Sequence, residues 1–447
     1  MRASRSRRRT AARSGAWSAL AWCAIGGPAL AGPGETSGRS LVAEGARLFL
    51  TDWSTTSRDG LGGDGLGPMF NERSCVACHG QGGPGGAGGS RFDVLILTDS
   101  GSKRNDDGSI VVPVPTDPKT PREPLTSDVF PGFAAERSLV LHRFAKDAGY
   151  EIWRAFVLRD FGAGRAGNPV PGSIFNVRAS YRNTPALFGA GLIDSIPEGV
   201  LEAASLRTIP EFPEIKGRPG HLPDGRVARF GWKAQTATLG DFVRTACANE
   251  LGLENPGHAQ SPDPLRPKYK APGLDLTDDE CSSLTAFVAA LPRPVEPRNP
   301  PLLKGEHLDI GRWTFAEIGC AACHLPQLGE VSGIYSDLLL HDMGQGLSDS
   351  GEYYGTGPSS AGLAFAPPGG TEWRTPPLWG LRDSAPYLHD GRAGTVAAAI
   401  AQHGGEAINS AARYRKLGYQ ERGYLNEFLL SLAAPPQADP KARTKAR

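Results

Sequence analysis

Residues 319–325 read Gly-Cys-Ala-Ala-Cys-His-Leu, and residues 74–80 read Ser-Cys-Val-Ala-Cys-His-Gly. Each stretch holds two thiols and an imidazole within one short turn. Two thioethers to one porphyrin edge, with an imidazole under the metal, need that residue set at that spacing. Cys75, Cys78 and His79, and Cys320, Cys323 and His324, therefore read as two covalent haem-attachment sites. A zinc site would want its Cys pairs about 15–20 residues apart, whereas these pairs lie in different halves of the chain. A thioredoxin-like dithiol has no need of the following His. His is scarce, 9 of 447 residues, so its place after both pairs is not accidental.

Around the two motifs the sequence repeats. Arg182-Asn-Thr-Pro-Ala-Leu-Phe-Gly189 echoes Arg374-Thr-Pro-Pro-Leu-Trp-Gly380, and Leu276–Leu291 aligns without gaps on Leu417–Leu432. In that alignment Leu284, Phe287 and Leu291 fall on Leu425, Phe428 and Leu432. Their i, i+3, i+7 spacing predicts an amphipathic helix in each copy. Thr277 and Glu280 form a capping-box pattern at the start of the first, and prolines stop both. Short helices are expected before each motif, over Leu41–Leu50 and Leu308–Ile318. Asp93–Val114 alternates around an Asp-Asp-Gly-Ser turn and predicts a hairpin. Gly80–Gly89, with seven Gly in ten residues, reads as a flexible loop. The predicted fold is mainly α: two tandem cytochrome c-like domains with loop-rich and small β insertions, the larger in the N-terminal half. The boundaries are a leader at 1–31, haem domains at 40–291 and 303–435, a Pro-rich linker at 292–302 and a tail at 436–447.

The leader carries Arg in its first dozen residues, then an apolar stretch from Ala16, ending in Ala29-Leu30-Ala31. This is a secretory signal pattern and predicts an exported, periplasmic protein. Beyond it no apolar run is long enough for a membrane span. The whole chain has 48 Lys+Arg against 47 Asp+Glu, which gives no electrostatic case for nucleic acid. Its 58 Gly and 38 Pro predict much irregular chain. Cys247 and Cys281 remain outside the motifs. In an oxidising compartment they are expected to pair, closing a loop of about 35 residues worth about 3–4 kcal/mol; the alternative is two buried free thiols.

Four stretches resemble the di-haem oxidoreductases labelled thiol oxidoreductase-like, relatives of bacterial di-haem cytochrome c peroxidase and MauG-type proteins. They are Asp64–Gly80, Tyr335–Leu347, Trp373–Gly380 and Ala385–Ala407. The resemblance implies an electron-relaying C-terminal haem and an N-terminal haem that meets a small oxidant. Tyr387-Leu-His-Asp-Gly391 resembles the peroxidases' Tyr-Phe-His-Asp-Gly element, and where they place a Met ligand this sequence has His403. The implied iron ligands are His79 at the first haem and His324 with His403 at the second, Met343 and His341 being competitors there. His341 and His389 read as structural. No His or Met follows His79 within about thirty residues, which implies an open first iron; His142 is the alternative ligand, with a hydrogen-bonding role preferred. Phe230-Gly-Trp-Lys-Ala234 resembles the element that leads to the peroxidases' acid–base Glu, which falls on Glu250. The family's inter-haem Trp falls on Phe230, leaving Trp232 as the relay candidate. Thr375 and Pro377 loosely match a calcium site.

The resulting expectation is a peroxidase-like di-haem oxidoreductase fed by a small redox protein or another external donor, with hydrogen peroxide or another small oxidant as substrate. The alternatives are an electron-transfer cytochrome without catalysis, and MauG-like or oxygenase-like oxidation of a protein or apolar substrate.

Overall fold

The computed structural model describes residues 33–56, 60–99, 102, 126–134, 136–160, 177–294, 305–349 and 367–436. The expected leader, most of the linker and most of the tail lie outside these residues. The molecule is mainly helical, with several small sheets. Six helices position the site: α1 (Pro33–Leu50), α2 (Leu239–Glu250), α3 (Asp278–Ala289), α4 (Gly305–Glu317), α5 (Val396–Ala401) and α6 (Tyr419–Ser431). None of the described helices is long and apolar enough to cross a membrane.

The two helices expected before the motifs are α1 and α4, and the two repeated amphipathic segments are α3 and α6. Each motif helix packs on one repeat helix: α1 on α3, and α4 on α6. Glycine makes both crossings possible. A Cβ on Gly45 would sit 1.9 Å from the Ser283 carbonyl oxygen and 2.7 Å from the Phe287 Cβ; on Gly311 it would sit 2.2 Å from the Tyr424 carbonyl oxygen and 2.7 Å from the Phe428 Cβ. One turn further on, Phe49 meets Phe287 with ring centroids 5.1 Å apart, and Phe315 meets Phe428 at 5.5 Å. Start signals are shared as well. Thr277 and Glu280 form the capping box of α3, while at α6 the Gly418 N–H donates to Glu421 Oε2, an interaction that satisfies an orphan helix-end donor.

The echoing Arg-Thr-Pro-type stretches lie against each other. Gly189 and Gly380 both adopt left-handed φ, +72° and +73°. A Cβ on Gly189 would come 2.4 Å from the Trp379 ring, and one on Gly380 would come 3.2 Å from the Phe188 ring. Beside this contact, Arg182 donates two hydrogen bonds to Asp349, at 2.6 and 3.0 Å, with both side chains buried. Removing one partner of such a pair costs about 3–5 kcal/mol, because the other charge is left buried alone.

Three sequence expectations need correction. The segment from Asp93 does not show a local hairpin: β1 (Val94–Asp99) pairs antiparallel with β2 (Ser138–Val140) and with β3 (Val177–Arg182), and its expected return arm lies outside the described residues. All six β1 residues are buried, so this strand is the centre of a sheet assembled from distant segments. The glycine loop at 80–89 is not a slack connector. Gly83 N–H donates to Gly80, Gly85 N–H to His79, and Gly88 N–H to Thr184. Finally, Cys247 and Cys281 are free thiols, both buried in the core between α2 and α3. They pack there as small apolar side chains, and burial pushes Cys281 up to about 11.

Two predictions follow from this packing. Gly311→Val should destabilise the protein by about 2–3 kcal/mol through overpacking, read by denaturant unfolding; unchanged stability would refute the close helix crossing. Cys247 and Cys281 should both be alkylated in denatured, unreduced protein, as read by peptide mass, whereas protection of both would restore the disulfide.

Candidate haem sites

In the second motif, burial pushes Cys320 up to about 12, so both thiols of this apolar turn stay protonated until they react. His324 Nδ1 lies 2.9 Å from the Tyr335 carbonyl oxygen. A carbonyl only accepts, so Nδ1 carries the proton and the lone pair is on Nε2. Burial pushes the His324 imidazole down to about 4, which keeps it neutral. Tyr335 and Leu338 hold left-handed φ of +48° and +59°. Such strain in non-glycine residues costs about 1–3 kcal/mol each and collects at functional sites; here it aims the Tyr335 carbonyl at the imidazole.

His403 is built the same way. It follows α5, and its Nδ1 lies 2.8 Å from the Ala399 carbonyl oxygen one turn back. Burial lowers its pKa as well. His324 and His403 line one cavity of about 290 Å³, walled largely by apolar side chains including Phe315, Leu378, Val396 and Leu429. They are close enough that a charge on His403 would lower the His324 pKa further. Met343 lines the same cavity. His341 does not compete as a ligand, because Nε2 is 2.9 Å from Asp337 and Nδ1 is 2.7 Å from Glu406. Burial opposes a charge on it, yet the Cys323 sulfur and Asp337 carboxylate hold its pKa well above the usual imidazole range. Donor atoms of Cys323, Asp337 and His341 cluster within 4.8 Å, but the thiol belongs to the Cys-x-x-Cys-His motif.

The first motif repeats the tether. His79 Nδ1 lies 3.2 Å from the Gly86 carbonyl oxygen and 3.1 Å from that of Pro185. Phe49 stands 6.3 Å from the His79 ring, as Phe315 does from the His324 ring. Sequence reasoning missed these carbonyls. The glycines of 80–89 and the repeated Arg-Asn-Thr-Pro stretch were the available signals, since the former supplies Gly86 and the latter Pro185.

Glu250 ends α2 and receives a hydrogen bond from Asn71 Nδ2 at 2.7 Å. Its charge reaches Cys78, His79 and His142, so it belongs to the surroundings of the first motif. His142 is fully buried, with Nε2 2.7 Å from the Asn249 carbonyl oxygen. That nitrogen donates to the carbonyl, which gives His142 a hydrogen-bonding role and leaves its lone pair on Nδ1, buried and without a hydrogen-bond partner. Trp232 lines the cavity shared by His324 and His403 and donates from Nε1 to the Asn183 carbonyl oxygen at 2.9 Å. His389 is buried and stacks on Trp373, with centroids 3.5 Å apart at 10°.

The donor chemistry fits haem. Each motif offers two thiols and an imidazole whose Nε2 is unprotonated, and the second adds a facing imidazole across an apolar space. Calcium does not fit. The Thr375 carbonyl oxygen accepts from Ser336 Oγ at 2.7 Å and from Arg374 Nη1 at 3.3 Å. A buried guanidinium repels a cation, so the calcium expectation at Thr375 and Pro377 is corrected.

Comparison with known proteins agrees with this donor set. Residues 306–432 match a family model described as "Di-haem oxidoreductase, putative peroxidase". That stretch of the chain, the C-terminal motif and its surroundings, is similar to this family. Methylamine utilization protein MauG of Methylorubrum extorquens is 35% identical over 129 residues, spanning 27% of this chain and 32% of that protein. The match thus covers about a third of that relative's length. Among solved structures, a Kuenenia stuttgartiensis hydrazine synthase pressurized with xenon overlays with TM-score 0.33 and 18% identity, covering 57% of this chain and 73% of that one. A MauG-like protein associated with microbial copper homeostasis overlays at 0.29 and 16%, covering 56% and 93%. At these scores neither overlay bears on the architecture.

In the haem-loaded protein, His403→Ala should turn the second haem from low to high spin while both haems stay attached, read by EPR and haem-stained gels. An unchanged low-spin spectrum would reject His403 as a ligand.

Proposed function

We propose that the chain is an exported, periplasmic di-c-haem oxidoreductase of peroxidase-like activity, built on two tandem cytochrome c-like domains at 40–291 and 303–435. The observation that carries this reading is the pair of neutral imidazoles, His324 and His403, facing one apolar cavity with their Nδ1 atoms tethered to carbonyls, against a first motif with no such facing partner among the described residues. That asymmetry suits one electron-relaying centre and one substrate-accessible centre. The paired glycine crossings and the leader pattern support the domain and export parts of the reading.

Bound haem would supply electron storage at the second site and peroxide reduction at the first. The chain's own residues do the rest. Cys75, Cys78, Cys320 and Cys323 anchor the porphyrins. His79, His324 and His403 would hold the irons, and their carbonyl tethers fix ring orientation and would raise ligand basicity. The apolar wall excludes water from the second site. Trp232 stands in the cavity wall as a relay candidate. Glu250 takes a proton from the proximal peroxide oxygen and returns it to the departing oxygen. Two electrons from an external donor and two protons convert one peroxide to two waters.

Bis-imidazole ligation at the second site would lower its potential relative to imidazole–thioether ligation, so a small, low-potential redox protein is the donor of choice. Glu250→Gln should slow peroxide turnover about 10²-fold or more, with both haems retained. Normal turnover in that variant would remove Glu250 from the mechanism.

A further inference from the structure

Asn71 lies four residues before the first Cys and is 3% exposed. It grips Glu250 at two points. Its backbone N–H donates to the Glu250 carbonyl oxygen at 2.7 Å, and its side-chain Nδ2 donates to Glu250 Oε2 at 2.7 Å. Its Oδ1 accepts from the Arg143 backbone N–H at 3.1 Å. The amide orientation is therefore fixed on both sides: the nitrogen faces a carboxylate and the oxygen faces an N–H. Glu250 ends α2, where helix carbonyls lack intrahelical donors, and Asn71 supplies one. Arg143, next along, pairs its guanidinium with Glu72 at 2.6 Å.

We propose that Asn71 is the positioning residue for the proton transfer assigned to Glu250. It holds the carboxylate in one rotamer beside the first motif and ties the last turn of α2 to the segment that leads into Cys75. This inference rests on the peroxidase-like reading. A carboxylate at a half-exposed helix end otherwise rotates among several staggered wells, and misplacing a reacting group by about 1 Å costs about 10²-fold. The charge of Glu250 reaches Cys78, His79 and His142, and Glu72 and Arg143 act on the same Cys78. Asn71 donates to the Glu250 carboxylate from a buried side chain and also holds its backbone.

The test is a double-mutant cycle on the full-length, haem-loaded protein. Asn71→Ala, Glu250→Gln and the double variant are compared by peroxide turnover, and by the rate of cyanide binding to the ferric first haem, a step that needs proton removal but no turnover. Asn71→Ala should lower kcat at least tenfold with little change in KM, and should slow cyanide binding in parallel. In the Glu250→Gln background the same change should add nothing. Additive losses, or an unaffected cyanide rate, would overturn the positioning role. A neutral Glu250→Gln would remove Glu250, and with it this role of Asn71, from the mechanism, whereas no peroxide turnover in the unmodified protein would sink the peroxidase-like reading itself, so the failures are distinct. Should Asn71→Ala lose haem, the isosteric Asn71→Asp keeps the bond to the Arg143 N–H and sets a second carboxylate against Glu250. It should be slower still, and wild-type rates in it would refute the proposal.

Discussion

The hydrogen bond from imidazole Nδ1 to a backbone carbonyl is the constraint on which the rest of this structure turns. It occurs at His79, at His324 and at His403. In each case it fixes the tautomer, fixes the ring plane and leaves Nε2 as the only lone pair. A carbonyl can do this only if its own peptide is held rigidly. Around His79 that rigidity comes from the folded-back glycine loop, with Gly82, Gly83 and Gly85 at positive φ. Around His324 it comes from two strained non-glycine residues, and around His403 from the preceding turn of α5. Three different local solutions serve one electronic requirement.

The loops in turn depend on helix crossings that only glycine permits. Gly45 and Gly311 let α1 and α4 reach backbone contact with α3 and α6. This places Phe49 and Phe315 at equal distances, 6.3 Å, from the two motif imidazoles. Between the two helix pairs the repeated Arg-Thr-Pro-type stretches interlock, Trp379 over Gly189 and Phe188 over Gly380. The Arg182–Asp349 pair adds a buried, bidentate link nearby. Lys233 shares this region, buried over the Trp373 ring at 3.7 Å and bonded to the Gly369 and Gly370 carbonyls; burial pushes its amine down to about 7. Cationic groups therefore crowd Trp373, while Trp232 meets a neutral carbonyl. A cation over an indole disfavours its oxidation, an effect that Trp373 meets and that the neutral partner of Trp232 does not impose.

The parts of this molecule that were legible in the sequence are those written by local chemistry. The Cys-x-x-Cys-His turns, the apolar spacing of Leu284, Phe287 and Leu291, and the Thr277–Glu280 cap all act over a few residues, and all appear where expected. His403 was expected as a ligand from the peroxidase-like element and its spacing from His389, and it lines the same cavity as His324. What failed depends on distant partners. No local signal pairs Val94–Asp99 with residues 138–140 and 177–182, and the alternation there was mistaken for half of a hairpin. The composition of Gly80–Gly89 speaks of freedom, yet its glycines serve close packing, since a Cβ on Gly85 would strike Leu291 at 2.4 Å. Cys247 and Cys281 were paired from compartment alone, whereas each is seated as a buried thiol. The calcium match broke down because Arg374, one residue away, donates to the very carbonyl the ion would need.

The central claim is an asymmetric pair of haem sites, closed at His324/His403 and accessible at His79. EPR of the purified ferric protein, recorded before and after peroxide is added, tests it most directly. The account predicts one low-spin signal from bis-imidazole ligation and one high-spin signal that changes with peroxide. Two low-spin signals that ignore peroxide, even after one-electron reduction, would contradict it and leave an electron carrier.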